Sequence, residues 1–151
     1  MSRTPELIAL VNSIAVAHGL ETALVCAVIE QESNWNTWAV RYEPAFMHKY
    51  VWPQYSQGKF GQTEAQMRAQ SWGLMQVMGQ VAREFGFIGS FLTELCEPRL
   101  GVDLGCVVLA HRMAGNAGIA YAALLAYNGG ADPAYPNQVL ARVAGYKEAV
   151  V

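Results

Sequence analysis

Glu30 and Glu32 close a nearly all-apolar stretch that starts at Val25 and runs into the polar and aromatic cluster Ser33-Asn-Trp-Asn36. An ionised carboxylate carried into an apolar stripe is costly unless it is paired. On helical spacing Glu32 continues the row Val25, Val28 and Ile29, whereas Glu30 follows Ala23, Cys26 and Ala27. At about 100° per residue the two side chains point about 200° apart and cannot act as a face-to-face pair. Desolvation by its own face would raise the pKa of Glu32 and keep it protonated nearer neutral pH, which is what general-acid chemistry needs. A frayed helix end with hydrated carboxylates is the plainer reading of the same residues. Two further polar islands interrupt apolar sequence, Gly73-Leu-Met-Gln76 and Ala126-Tyr-Asn128, and each alone is ordinary structural material.

The elements that must position these residues are helical. Thr4 as N-cap, Pro5 at the first helical position and Gly19 as the stop predict a first amphipathic helix. A second runs from about Glu21 to Ser33. The segment from Trp38 to Gly61 is aromatic and irregular, with Pro44 and Pro53. So long an excursion in a compact domain is either functional, for instance an aromatic wall for sugars, or a packed covering loop. Thr63-Glu-Ala-Gln66 has a capping-box pattern and opens a third helix, interrupted near Gln70 to Gln76 and resuming through Val81 to Phe85. Ser90 is expected to cap a short helix ending before Pro98. Another spans Leu100 to Met113, with Leu104, Val107, Val108 and His111 on one face. Ile119 to Tyr127 reads as a central, tightly packed helix stopped by Asn128-Gly-Gly130. Pro136 opens a last helix to about Ala149, with Val139, Leu140, Val143 and Tyr146 inward. No strand-period segment stands out. The expected fold is mainly α, a single domain over residues 1–151.

The chain has 151 residues, 53% apolar and 15% charged, with a net charge of −2. That composition builds one sizeable core and argues against disorder. Without a basic face it is not expected to bind nucleic acid. No run reaches the ~18 apolar residues of a membrane span. Leu7 to Ala17, with Ala15-Val16-Ala17, is similar to a signal peptide, but Glu6, Asn12 and Ser13 interrupt it and a first helix is the better reading. Cys26, Cys96 and Cys106 lack metal-ligand spacing and read as buried free thiols. His18, His48 and His111 are too scattered for a metal site, and His111 is expected to hydrogen-bond in or beside the core. No cofactor or metal is expected.

Taken together, in this order and spacing, the islands resemble the lytic transglycosylase domain, of the soluble-lytic-transglycosylase-like type in the lysozyme-like superfamily. The matching segments are Gln31-Glu-Ser33, Gly73-Leu-Met-Gln-Val-Met78 and Leu125-Ala-Tyr-Asn-Gly-Gly130, with Val102-Asp-Leu-Gly105 as a helix start. The resemblance spans about residues 7–148. The chain departs from the family pattern at Asn36-Thr37, where Asn-Pro is frequent, at Gly79 in place of a proline, at Gly129, and in a longer insertion from Arg41 to Gln62.

The resemblance implies cleavage of the β-1,4 bond between N-acetylmuramic acid and N-acetylglucosamine in peptidoglycan. Glu32 would be acid, then base, and the products would be 1,6-anhydromuramoyl ends. Ser33, Gln76, Met78, Tyr127 and Asn128 would hold the substrate, Tyr127 orienting an N-acetyl group; Met75 and Met78 either line the cleft or, as methionine at this spacing as often does, pack in the core. Glu43 is the candidate second carboxylate. Holding a water opposite Glu32, it would make the enzyme an inverting muramidase or chitinase of the goose-type lysozyme class, with carboxyls ~6.5–9.5 Å apart. In a salt bridge to Arg41 or Lys49 it would be a bystander. A non-catalytic cell-wall-binding module is the alternative from another class. The partner is the glycan strand, and a monomer is expected. Action at the bacterial wall after release from the cytoplasm, as by a phage endolysin or a virion or secretion-system enzyme, is the expected setting.

Overall fold

The computed structural model describes residues 3–147. Helix α1 (Pro5–Ala17) begins as predicted, with Thr4 Oγ1 accepting the Leu7 N–H at 3.2 Å. Helix α2 (Thr22–Ser33) carries the first polar island at its C-terminal end. The excursion that follows is not irregular throughout. A strand β1 (Val40–Tyr42) leads into a helical run made of α3 (Pro44–Phe46), a π-helical turn (Met47–Val51) and α4 (Trp52–Tyr55). This run packs on α5 (Gln62–Arg68) through a small second core of Met47, Val51, Ala65 and Ala69.

The interruption predicted near Gln70 is a β-hairpin. Strands β2 (Gln70–Trp72) and β3 (Val77–Met78) flank the Gly73-Leu-Met-Gln76 turn, and β1 joins them to give an antiparallel sheet in the order β1-β2-β3. Three strands this short show no alternation in sequence, which is why none was expected. Helix α6 (Gly79–Glu84) and a 3₁₀ turn (Leu92–Cys96) lead to α7 (Pro98–Gly115), α8 (Ala120–Tyr127) and α9 (Tyr135–Lys147). The expected end of the last helix at Ala149 lies outside the described residues.

Two expected caps move. Gly61, not Thr63, precedes α5, and Phe91, not Ser90, precedes the 3₁₀ turn, its N–H bound by Glu94 Oε1 at 2.8 Å. Pro98 ends one element by opening the next: the Glu97 carboxylate accepts the Arg99 and Leu100 N–H groups at 3.0 and 2.9 Å and starts α7 there.

Every residue of α2 from Thr22 to Ile29 is buried. A helix apolar on all sides belongs in the middle of a core, and α2 takes the central place expected of α8, where only Ala123 and Leu124 are buried. Complete burial of Val25, Val28 and Ile29 contributes about 1.5–3 kcal/mol apiece. Cys26 and Cys106 are part of this core, where burial pushes each thiol up to about 12, and Cys96 is also buried and free. His111 is exposed rather than in the core, edge-on to Phe85 at 5.2 Å. Helix α9 runs antiparallel along α2: Tyr135 at its start meets Glu32, and Lys147 at its end meets Glu21 at 3.3 Å. That pairing sets the site.

Candidate active site

The helix that carries Glu32 is ended by the chain's own turn chemistry. Asn34 (φ 48°) and Trp35 (φ 64°) are both left-handed, and Asn34 N–H still bonds the Glu30 carbonyl at 3.0 Å. Consecutive positive φ values are unusual without glycine. The buried Trp35 ring holds them, its Nε1 donating to Tyr146 Oη at 2.9 Å. Tyr146 in turn donates to Glu30, which also lies 3.5 Å from Arg142. The two glutamates thus separate as their helical spacing predicts: Glu30 ties α2 to the far end of α9, and Glu32 faces the near end.

Glu32 is half-buried in the last turn of α2, and burial raises its pKa above the ordinary carboxylate range. A helix C-terminus is also no place for a negative charge. Two opposing influences are smaller: the hydrogen bond from Tyr135 and the positive charge of Arg41. Tyr135 Oη donates to Glu32 Oε1 at 2.6 Å. Burial and the neighbouring carboxylate push the Tyr135 phenol far above its usual range, so it remains a donor at any working pH. Among the described residues Oε2 of Glu32 has no hydrogen-bond partner. With Oε1 held as an acceptor, Oε2 is the oxygen open to carry a proton in the acid form.

Of the other expected site residues, Ser33 and Tyr127 are brought to this helix end, and Gln76 braces the hairpin turn that both of them bind. Ser33 Oγ lies 2.8 Å from the Leu74 carbonyl and 3.1 Å from that of Ile29, tying α2 to the hairpin turn. Tyr127 donates to the Met75 carbonyl at 2.7 Å. Burial, then the charge of Glu32, hold the Tyr127 phenol well above its usual range. With its proton engaged, its oxygen is left as an acceptor. Gln76 (φ 49°) is turned inward: Nε2 donates to the Ala39 and Gly73 carbonyls at 2.9 and 2.8 Å, and Oε1 accepts from Ser71 at 2.8 Å. It braces β1 against the turn. Met78 is half-buried in β3, and Asn128 is half-buried at the end of α8, its amide without a hydrogen-bond partner among the described residues. Met75 lies fully inside, against Gly105 of α7, and lines no cleft. Glu43 accepts from Arg41 Nε at 2.5 Å.

Tyr135 is the residue that local patterns did not single out. The signal was present one turn upstream of the inward row Val139, Leu140, Val143 and Tyr146, whose spacing Tyr135 continues. Among the described residues no cluster of His, Cys, Asp and Glu is arranged to hold a metal ion, and no helix is long and apolar enough to cross a membrane.

A helical domain with a small antiparallel sheet, its central helix delivering one desolvated glutamate to a phenol, is a lysozyme-like arrangement. The model of the family described as "Transglycosylase SLT domain" matches residues 9–138, and the chain belongs to that family. Its members are lytic transglycosylases that cleave peptidoglycan, and this protein is an enzyme of that class. Comparison with curated proteins and with solved structures returned no match.

Proposed function

We propose that this enzyme cuts the β-1,4 bond between N-acetylmuramic acid and N-acetylglucosamine with Glu32 as its only acid and base, leaving 1,6-anhydromuramoyl ends. The observation that carries the reading is the desolvated Glu32 carboxyl, fixed at Oε1 by a permanently protonated phenol and open at Oε2. In the first stage Oε2–H protonates the glycosidic oxygen as the C1–O bond breaks, through an oxocarbenium-like state. In the second the new carboxylate takes the proton of the muramoyl C6 hydroxyl, whose oxygen bonds to C1. No water is consumed. The nucleophile is tethered in the sugar, so positioning replaces activation of a water molecule.

The raised pKa suits the first stage, and the Tyr135 bond and Arg41 charge stabilise the carboxylate needed for the second. Asn128, with its unengaged amide, and Tyr127, as an acceptor, are suited to the substrate's acetamido group. Ser33 and Gln76 shape the cleft wall from behind, and Met78 flanks it. The Arg41 bond to Glu43 favours the anhydro reading, since a carboxylate held by a guanidinium is a poor base for water.

Mass spectrometry of soluble products from purified peptidoglycan tests this. Anhydro-muropeptides, one water lighter than hydrolysis products, are expected. Reducing-end products would make water the nucleophile and overturn the reading.

A further inference from the structure

The inference concerns Arg41 and rests on the reading just given. Strand β1 is an edge strand with solvent on both faces. Its position beside the site is fixed by backbone: Arg41 pairs with Ser71 across β1 and β2, the Ala39 carbonyl accepts Gly73 N–H at 2.8 Å, and the same turn is bound by Ser33, the residue after Glu32. Arg41 and Glu43 project from the same face of β1 and its extension, as alternate residues do. Glu43 engages only Nε of the guanidinium, side-on. The Nη groups are left free, and the side chain is 67% exposed. A guanidinium braced at Nε and open at its Nη edge presents a ready fork for a second carboxylate. With the strand pairing, its charge felt at Glu32 puts the fork within electrostatic reach of the candidate site.

The muramoyl unit is the one anionic feature of an otherwise neutral glycan. Its lactyl group carries either a peptide stem with free carboxylates or, once the stem is removed, its own carboxylate. We propose that Arg41, oriented by Glu43, binds a carboxylate of this muramoyl substituent and makes the enzyme select acidic glycan strands over neutral ones. The aromatic side chains of the insertion offer sugar-stacking faces without regard to charge, and of its cations Arg41 is the one whose charge is felt at Glu32.

The test compares kcat/KM on three preparations of strands: stem-bearing, stripped by an amidase to the lactyl carboxylate, and amidated with carbodiimide and methylamine to remove every negative charge. Wild type is expected to favour stem-bearing over amidated strands by about three- to tenfold, the range for a partly exposed charge-assisted contact. In Arg41→Gln that ratio falls towards one, with the change in KM, and Arg41→Lys restores part of it. Preference kept on stripped strands assigns the contact to the lactyl carboxylate, and preference lost there assigns it to the stem. Either upholds the proposal. A ratio that is the same in wild type and Arg41→Gln overturns it. Binding of the same strands to Glu32→Gln, with and without Arg41→Gln, gives a readout independent of turnover. Hydrolytic products alongside charge-selective binding would sink the anhydro mechanism and leave the role of Arg41 standing.

Discussion

Glu32 and Tyr135, 103 positions apart in the chain, meet in a 2.6 Å hydrogen bond across the antiparallel pair α2 and α9. The bond favours the ionised carboxylate while burial favours the neutral acid, and burial prevails. Tyr135→Phe removes only the donor, so the pKa of Glu32 climbs further. The proposed first stage needs protonated Glu32, so the rate is expected to fall as pH rises through its folded pKa. In Tyr135→Phe that alkaline limb moves to higher pH, and the plateau rate drops by about 10- to 100-fold, the worth of a hydrogen bond to a charged group. A pH–rate series on solubilised strands reads both changes, and an unmoved limb would disprove the coupling.

With Glu32 in the proposed role, Glu32→Gln is expected to abolish turnover without destabilising the fold. A carboxylate whose folded pKa is raised binds its proton more tightly in the native state than in the unfolded chain. Its stabilising contribution is therefore complete below the unfolded pKa and disappears as pH rises through the folded one. Glutamine keeps an acceptor for Tyr135 and carries no charge. The variant should match wild type in thermal melting at acid pH and equal or exceed it at neutral pH. A lower melting temperature at neutral pH would show that the ionised carboxylate is structurally required.

The Glu32 position was legible because an acidic residue on an apolar helical row is a local anomaly, visible within a dozen residues. So was the separation from Glu30, since both follow from helical spacing alone. Tyr135 was not legible because its partner lies on another helix, and a tyrosine before Pro136 looks like the end of a loop until α9 is laid against α2. The inward engagement of the Gln76 amide was hidden for a related reason. The resemblance implied a substrate contact, and nothing local showed that this turn residue with positive φ, between two short strands, also has inward carbonyls to satisfy, at Ala39 and Gly73. The hairpin itself escaped notice because two or three residues per strand give no period to detect.

Glu64 joins α5 to the segment after α6. Its Oε1 accepts from Arg68 Nε at 2.9 Å and Arg83 Nε at 2.8 Å, while Arg83 Nη1 donates to the Phe87 and Gly89 carbonyls at 2.9 and 2.7 Å. Burial alone would raise its pKa, but the two guanidinium groups together outweigh that and lower it. With a depressed folded pKa, the contribution is present above the unfolded pKa and is lost as pH falls through the folded one. Glu64→Gln is expected to cost about 1–2 kcal/mol at neutral pH after allowance for solvent screening. Urea melts of wild type and variant should converge at strongly acid pH. A constant gap across pH would mean that the ion pairs are not the cause.

The hairpin turn bearing Leu74 and Met75 is seated by two glycines, and the obstacles beside them differ in kind. At Gly73 (φ 67°) an added Cβ would lie 2.3 Å from the Leu95 carbonyl oxygen, which is backbone and cannot step aside. At Gly105 on α7 it would lie 2.3 Å from Met75 Sδ, part of a flexible thioether, and 2.7 Å from Met75 Cβ, and α7 places no demand for positive φ there. Gly73→Ala therefore combines a left-handed backbone with a backbone collision, and Gly105→Ala asks that the Met75 thioether repack and its Cβ give way by a few tenths of an ångström. Overpacking of the second kind costs about 1–3 kcal/mol, and Gly73→Ala should exceed it. Activity should fall in both, because the Met75 carbonyl that receives Tyr127 moves with its side chain. Melting temperatures in the order wild type, Gly105→Ala, Gly73→Ala are expected. The reverse order of the two variants would place the rigid contact at Met75 rather than at Leu95.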